Sequence, residues 1–466
     1  MTRLARPVLL PTILSAVLAT AAIAELPRTP PSPTGSRIAV ANRVAGTVTL
    51  IDVTSERELT MELEPGSDPM YAQNPFFSNE IWVGDRGHDR VLVYDALRFR
   101  RKAEIPVGAG VFHMWNHGGL GQMWVVGDVD KTLTVISLAT KEVLATIPIP
   151  AELADAGFKP HDMTVTANAG IVSLLGAGTP DGWLIKYSGT TFEETARLRV
   201  PGDPHLFYWG FEESRLYVAS QAGGKVLELD PETLAITGEL DIPGAHGIWA
   251  DETETFLYVG NITSTDGEAA IYTIDIETFS IVPGSPTAAA LPHPHNFMVS
   301  IDNTKLFVTH SNSGSSFTSI YDLDETGIPV ASRVVETGDI PFGIMLIRDP
   351  LGDLALEDLR FSVRDPASQE EMAVLRPGDP LVVDQGQDVL LRAFLPANTS
   401  TRQQRSYLGA QFKLESGSEN VRLTGQDAAR GRAVVEATTA GEAVLSYRLN
   451  GQGVLGAMGL VMVEVR

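Results

Sequence analysis

Asp203-Pro204-His205-Leu206-Phe207 is one of seven phrases in which a turn-forming residue precedes a large side chain and an apolar strand. The others are Asp68-Pro69-Met70-Tyr71, Val111-Phe112-His113-Met114-Trp115, Lys159-Pro160-His161-Asp162-Met163, Gly244-Ala245-His246-Gly247-Ile248-Trp249, His293-Pro294-His295-Asn296-Phe297 and Ile340-Pro341-Phe342-Gly343-Ile344. Aligned on the central residue, positions 70, 113, 161, 205, 246, 295 and 342 follow one another at intervals of 43, 48, 44, 41, 49 and 47. Five of these seven central residues are histidine, in a chain that holds nine histidines altogether.

Between phrases the chain reads as short strands rich in branched and aromatic residues, separated by Gly, Asn, Asp and Pro turns. Second strands are expected at 215–219, 256–259 and 305–309, third strands closing on Asp or Ser at 48–52, 91–95, 133–137, 226–230 and 271–275, and a fourth at 142–147. The turns that begin at Asp230 and Asp275 are expected to be hairpin connections between third and fourth strands. Four short antiparallel strands in every ~40–50 residues is the signature of a β-propeller blade. Residues 37–63 supply three strands without a phrase, and the phrase at Phe342 has no strands after it, so pairing the two closes the ring and hides both edges. The expected fold is therefore all-β, with a seven-bladed β-propeller over residues 36–350.

After Asp349-Pro350 the phrase and histidine both disappear. Alternating segments at 359–363, 389–394, 410–414, 433–437, 443–448 and 459–465 predict a β-sandwich domain over 351–466, of immunoglobulin or cupredoxin outline. With neither Cys nor His it cannot hold a cupredoxin-type copper site, and packing, docking or homodimer contacts are its expected roles.

The N-terminus reads as an export signal over 1–24: Arg3 and Arg6, an apolar run from Val8 to Ala21, and the small-x-small site Ala22-Ile23-Ala24. A Pro-rich linker follows over 25–35. These features predict a periplasmic or secreted protein with no membrane span once the signal is removed. The formal charge of -23, which falls to -25 when Arg3 and Arg6 leave, disfavours nucleic acid and anionic lipid as partners. The absence of cysteine excludes disulfides, thiolate metal ligands and c-type haem attachment. There is no phosphate-binding glycine loop, no His-Glu-x-x-His motif and no glycine-flanked nucleophilic serine.

The segments 216–220, 257–261 and 306–310 (Leu-Tyr-Val-Ala-Ser, Leu-Tyr-Val-Gly-Asn and Leu-Phe-Val-Thr-His), with the Pro-His starts and the strands closing on Asp, resemble the YVTN-type propellers. That superfamily, by resemblance, includes the propeller domain of nitrous oxide reductase and the copper enzyme thiocyanate dehydrogenase. The resemblance covers roughly residues 36–350 and implies a propeller fold and copper redox chemistry. It does not reproduce the seven-histidine set and second copper domain of nitrous oxide reductase, so reduction of nitrous oxide is not the expected activity.

In a propeller the first strand of each blade lines the channel, so the phrase residues converge on the axis. The expected metal ligands are His113, His161, His205, His246 and His295, with His310 and Met70 next. Asn42, Asp85, Ser220 and Asn261 are expected at the same mouth. Neutral imidazole suits copper, zinc, iron and nickel, and a thioether at Met70 favours copper, with room for more than one ion. Asp162, Asp203 and Asp85 either orient imidazoles or cap turns. Trp115, Trp209 and Trp249 either wall a small pocket or pack in the core, while His88, His117 and His293 read as solvated or turn residues. Three functions follow: a copper oxidoreductase with a small-molecule substrate and an electron-transfer protein partner, a non-enzymatic interaction platform, or copper storage and delivery.

Overall fold

The structure is a computed structural model. It describes residues 36–466 apart from 76–79, 97–98, 118–120, 167, 177, 209–214, 252–253, 263–268, 301, 313, 348–358, 377, 397–404, 408–409, 428–430 and 450–457. The export signal, the linker, Trp209 and the Asp349-Pro350 junction lie outside the described residues, as does the side chain of His117.

The described residues are nearly all strand, in repeated four-stranded sheets of β-propeller type. Among them, seven sheets lie between Arg37 and Ile347. Six are built from consecutive strands, as in Pro204–Tyr208, Leu216–Ser220, Lys225–Leu229 and Ile236–Asp241. The seventh joins the two ends of the array: Pro341–Ile347 pairs antiparallel with Arg37–Asn42, which continues into Thr47–Asp52 and Glu58–Glu62. First strands contact one another in cyclic order, from Pro69–Gln73 through Val111–His117, Phe158–Val165, Pro204–Tyr208, Ala245–Ala250 and Pro294–Val299 to Pro341–Ile347 and back. Each first strand is the edge of its own sheet, and the closed ring covers these short edges with neighbouring first strands.

Burial follows radius. Inner strands such as Thr47–Asp52 and Glu80–Asp85 are buried throughout, whereas outer strands such as Arg101–Pro106 and Ile236–Asp241 are largely exposed. Sheets that cover one another on both faces need apolar residues at successive positions. This is why these inner strands read as continuous β-branched runs rather than as alternation. The core is accordingly divided into wedges between neighbouring sheets. One gathers Trp124, Leu133, Phe158, Val172 and Ile185, and another gathers Ile38, Val40, Phe307, Ile320 and Ile344 across the closure. Trp124 is fully buried and its indole N–H is satisfied by Gln122 Oε1, so Trp124→Ala would cost about 3–5 kcal/mol.

Polar residues at strand ends fix the loops. Asp52 Oδ1 accepts from the amides of Thr54 and Ser55, and Asp230 Oδ1 accepts from those of Glu232 and Thr233, so the aspartate that closes a third strand builds the hairpin after it. At the opposite end of the sheets Asp85 accepts from the Asp68 amide, and Ser220 Oγ donates to the Gly202 carbonyl. Each anchors the loop that delivers the phrase of its own sheet. Two features depart from the four-strand grammar. The outer strand opposite Ala270–Asp275 is split into Ser280–Ile281 and Thr287–Ala288, and a short helix, Ala151–Asp155, precedes Phe158–Val165.

Beyond residue 358 there are two further sheets. One runs Glu371–Leu375, Arg360–Arg364, Asp388–Pro396, Arg432–Ala437, Val421–Asp427, and the other Leu381–Val383, Met458–Val465, Gly441–Leu449, Ala410–Ser416. Each of the six predicted segments coincides with a strand to within a residue or two, and both sheets contribute to one apolar cluster that includes Phe361, Leu391, Phe412 and Leu445. No helix among the described residues is long and apolar enough to cross a membrane.

Candidate metal centre

The first strands are not regular. In Phe158–Val165, Pro160 pairs with Leu174 and Met163 with Val172, so His161 and Asp162 together face the single residue Ser173. This is a β-bulge, which re-aims side chains. The same two-against-one step places Met70 and Tyr71, Phe112 and His113, His246 and Gly247, His295 and Asn296, and Phe342 and Gly343 in equivalent pairs. Only Pro204–Tyr208 stays in regular register, with His205 opposite Ala219.

This register corrects the alignment of the phrases. The counterpart of His161, His246 and His295 in the second repeat is Phe112, and His113 belongs one position later, with Tyr71 and Asp162. Anchoring on the histidine itself hid the step. The ring position is therefore held by four imidazoles, His161, His205, His246 and His295, and an apolar arc of Phe342, Met70 and Phe112. Ring-centroid distances trace it: 5.1 Å from Phe112 to His161, 4.8 Å to His205, 3.7 Å to His246, 4.7 Å to His295, 4.2 Å to Phe342, and 6.1 Å back to Phe112. Met70 is fully buried and packs in the apolar cluster of Trp82, Met114 and Phe342.

His310 is a second correction. It is fully buried at the end of its strand opposite Pro294, with Nδ1 donating to the Pro292 carbonyl at 2.9 Å and Nε2 accepting from Ser319 Oγ at 2.7 Å. Both nitrogens are used within its own sheet. His88 instead donates to Asp85 beside Arg90, an ion-pair cluster that ties a loop.

Of the five expected histidine ligands, His161 and His205 bring their Nε2 atoms to 3.4 Å from one another. Asp203 Oδ1 completes the triangle, 3.3 Å from His161 Nε2 and 3.4 Å from His205 Nε2. Asp203 reaches back over the ring because its backbone is left-handed (φ 56°), a conformation aspartate tolerates better than most residues. A tetrahedral ion with ~2.0–2.1 Å bonds to nitrogen and oxygen spaces its ligands ~3.3–3.4 Å apart, so the three atoms already stand at tetrahedral separation. His246 adds the decisive feature. It is buried, and among the described residues neither ring nitrogen has a hydrogen-bond partner. The ligand atoms of Asp203, His205 and His246 all lie within 4.8 Å of one another, as do those of His113, His161 and His205.

His113 is tied from both sides: Nδ1–H donates to Asp162 Oδ1 at 2.5 Å, and Nε2 accepts from the Tyr71 hydroxyl at 3.0 Å. Asn296 Nδ2 donates in turn to Tyr71 Oη at 3.3 Å and to the Phe342 carbonyl at 3.0 Å, and lies 2.6 Å from His295 Nδ1. Asp162 also accepts from the amides of Met163 and Leu206, and its Oδ2 lies 3.7 Å from His205 Nδ1. Tyr71 and Asn296 are functional candidates that the sequence reading passed over. Their signal was the equivalence of Tyr71 with His113, visible once Phe112 anchors the second phrase.

Burial sets the electrostatics. It drives His161 down to about 4, reinforced by the neighbouring imidazoles and opposed by Asp203, and it holds His246 and His295 well below the ordinary histidine range. Burial also lowers His113, against the pull of Asp162. His205 is the exception: burial disfavours its charge, but the carboxylates of Asp162 and Asp203, one facing each nitrogen, push it up to about 9. Both aspartates are held well below the usual carboxylate range, because the adjacent imidazoles outweigh their burial. Tyr71 is raised well above its ordinary value by burial and by Asp162, so it stays a neutral phenol. At neutral pH one imidazolium thus sits between two carboxylates among four neutral imidazoles. A metal ion would take the place of the His205 proton facing Asp203.

No family model matches the chain, and no curated protein matches it either. Solved structures do resemble it. A functionally unknown protein from Desulfotomaculum acetoxidans is 12% identical with a TM-score of 0.54, covering 67% of this chain and 99% of its own. A candidate 6-phosphogluconolactonase from Bacteroides fragilis is 13% identical with a TM-score of 0.54, covering 68% and 100%. A Lactobacillus plantarum protein is 15% identical with a TM-score of 0.51, covering 67% and 99%. At these identities the likeness is one of fold alone: the chain is similar to β-propeller-type proteins over about two thirds of its length.

Proposed function

We propose that this chain is an exported seven-bladed β-propeller (residues 36–350) followed by a β-sandwich domain (351–466), and that its channel holds one divalent transition metal, copper in the first place, at the centre of a small-molecule oxidoreductase. The observation that carries the metal site is the triangle of His161 Nε2, His205 Nε2 and Asp203 Oδ1 at 3.3–3.4 Å, completed by the unpartnered imidazole of His246. A buried imidazole without a partner leaves a desolvation cost of about 1–3 kcal/mol uncompensated, and a metal bond is the natural remedy. The two groups, His113, His161 and His205 and Asp203, His205 and His246, share His205, so they support one ion rather than two.

Copper is placed first by its affinity for a mixed nitrogen and oxygen set together with the resemblance to copper propellers, whereas tetrahedral spacing alone suits zinc equally. The export signal and the resemblance to copper propellers support redox chemistry with an electron-transfer partner outside the cytoplasm. The chain's own residues would bind the ion, orient it through Asp162 and exclude bulk water with the Phe342–Met70–Phe112 arc. Elemental analysis of protein purified without chelator or polyhistidine tag tests the proposal. About one copper per chain with a paramagnetic signal supports it, and metal-free protein of unchanged stability rejects it.

One observation favours a second reading, a non-enzymatic platform. His113 and His205 already have both nitrogens facing partners, so most of the cluster is electrostatically closed as a hydrogen-bonded plug.

A further inference from the structure

Beside the imidazoles the channel contains a cavity of about 40 Å³. One water molecule takes about 10–15 Å³ on this measure, so the space holds roughly three non-hydrogen atoms. Trp115 and Trp249, with ring centroids 5.5 Å apart, form an apolar wall, and Tyr71, Asn296 and Asp162 form the polar end.

The polar end is selective because most of it is already spent. Asp162 accepts from His113, Met163 and Leu206 and faces His205, so both of its oxygens are already engaged and a cation in the cavity would meet no free carboxylate oxygen. Among the described residues that line the cavity there is no lysine or arginine, and the His205 imidazolium is already held between Asp162 and Asp203, so no cation is free to receive an anion. A charged ligand would lose its hydration without compensation. A phenol both donates and accepts. Tyr71 donates to His113, and the two hydrogens of Asn296 Nδ2 are shared among His295 Nδ1 at 2.6 Å, the Phe342 carbonyl at 3.0 Å and Tyr71 Oη at 3.3 Å, so the acceptor side of Tyr71 is the least satisfied of the three. It asks for a donor.

We propose that this cavity binds a small uncharged molecule bearing an N–H or O–H group, which donates to Tyr71 Oη while its body lies against Trp115 and Trp249. The proposal deepens the metal-site reading by naming the substrate class, but the binding itself needs no metal.

Three probes of similar size separate the possibilities: formamide, formate and methylammonium. Each carries carbon-bound protons, so ligand-observed NMR on metal-free protein can follow all three. Three heavy atoms at a ceiling of about 1.5 kcal/mol each limit affinity to roughly millimolar, which suits that measurement. Formamide should saturate, with formate and methylammonium at least about tenfold weaker. Tyr71→Phe removes the acceptor and should weaken formamide by about tenfold. Ile248→Phe fills the cavity wall and should abolish binding, which keeps the test alive should Tyr71→Phe fail to fold. Equal binding of either ion, no saturation by formamide, or unchanged affinity in a folded Tyr71→Phe protein would each overturn the proposal. Metal uptake measured on the same preparation is a separate readout, so loss of one leaves the other standing.

Discussion

Asp162 Oδ1 stands 2.5 Å from Nδ1 of His113. The contact crosses between consecutive sheets, because both residues occupy the second position of their bulges. It fixes the His113 tautomer and aims Nε2 at Tyr71, and the other carboxylate oxygen faces His205. One side chain thus organises the proton positions of three others.

Asp162→Asn should release both imidazoles. In metal-free protein the His205 pKa, pushed up to about 9 by the two carboxylates, should fall, followed by carbon-13 histidine NMR. Removing one member of a buried pair should also cost about 3–5 kcal/mol in denaturant titrations. An unmoved His205 would remove Asp162 from this role.

Gly247→Ala tests how the bulge is packed. A Cβ there would lie 1.7 Å from the His295 carbonyl oxygen, which is backbone and cannot swing aside. The neighbouring strand must move, taking His295 away from His246. Stability should drop by at least about 2 kcal/mol, read as a lower Tm, with the overpacking as its cause. A variant as stable as the parent would show that the two first strands are further apart than described.

Acid should weaken the fold through His310. Its pKa is lowered to about 4 by burial, while the unfolded chain takes the proton near 6.5. Between those values the unfolded state binds more protons, so stability rises with pH there. The contribution is complete above about 6.5 and is lost as pH falls toward 4, amounting to roughly 3 kcal/mol. The lowered His113, His161, His246 and His295 add to the same slope and the raised His205 opposes it, so the measurement is a difference: His310→Asn should flatten the profile by that amount. An identical slope in the variant would contradict a neutral, buried His310.

Much of the architecture was legible in sequence because it rests on local grammar. Branched runs ending in Asp52, Asp230 and Asp275 specify strand and turn together, and the missing strands after Phe342 are supplied by residues 37–62. The site was legible only in outline. A bulge adds a residue without leaving a compositional mark, so His113 was aligned where Phe112 belongs. Asp203 resembles any turn aspartate in sequence, and its left-handed backbone, which brings the carboxylate over the ring, is visible only in three dimensions. His310 and Met70 have residue types suited to copper, but their places are decided by the carbonyl of Pro292 and by the apolar cluster around Trp82.

The most direct measurement is a Cu(II) titration of metal-free protein by calorimetry, in parallel with Asp203→Asn, His246→Ala and His310→Ala. The parent and His310→Ala should each bind about one ion per chain, and Asp203→Asn and His246→Ala should each lose at least about tenfold in affinity. A parent that binds no stoichiometric ion, or an Asp203→Asn variant that binds as tightly as the parent, would contradict a metal centre built on His161, His205 and Asp203.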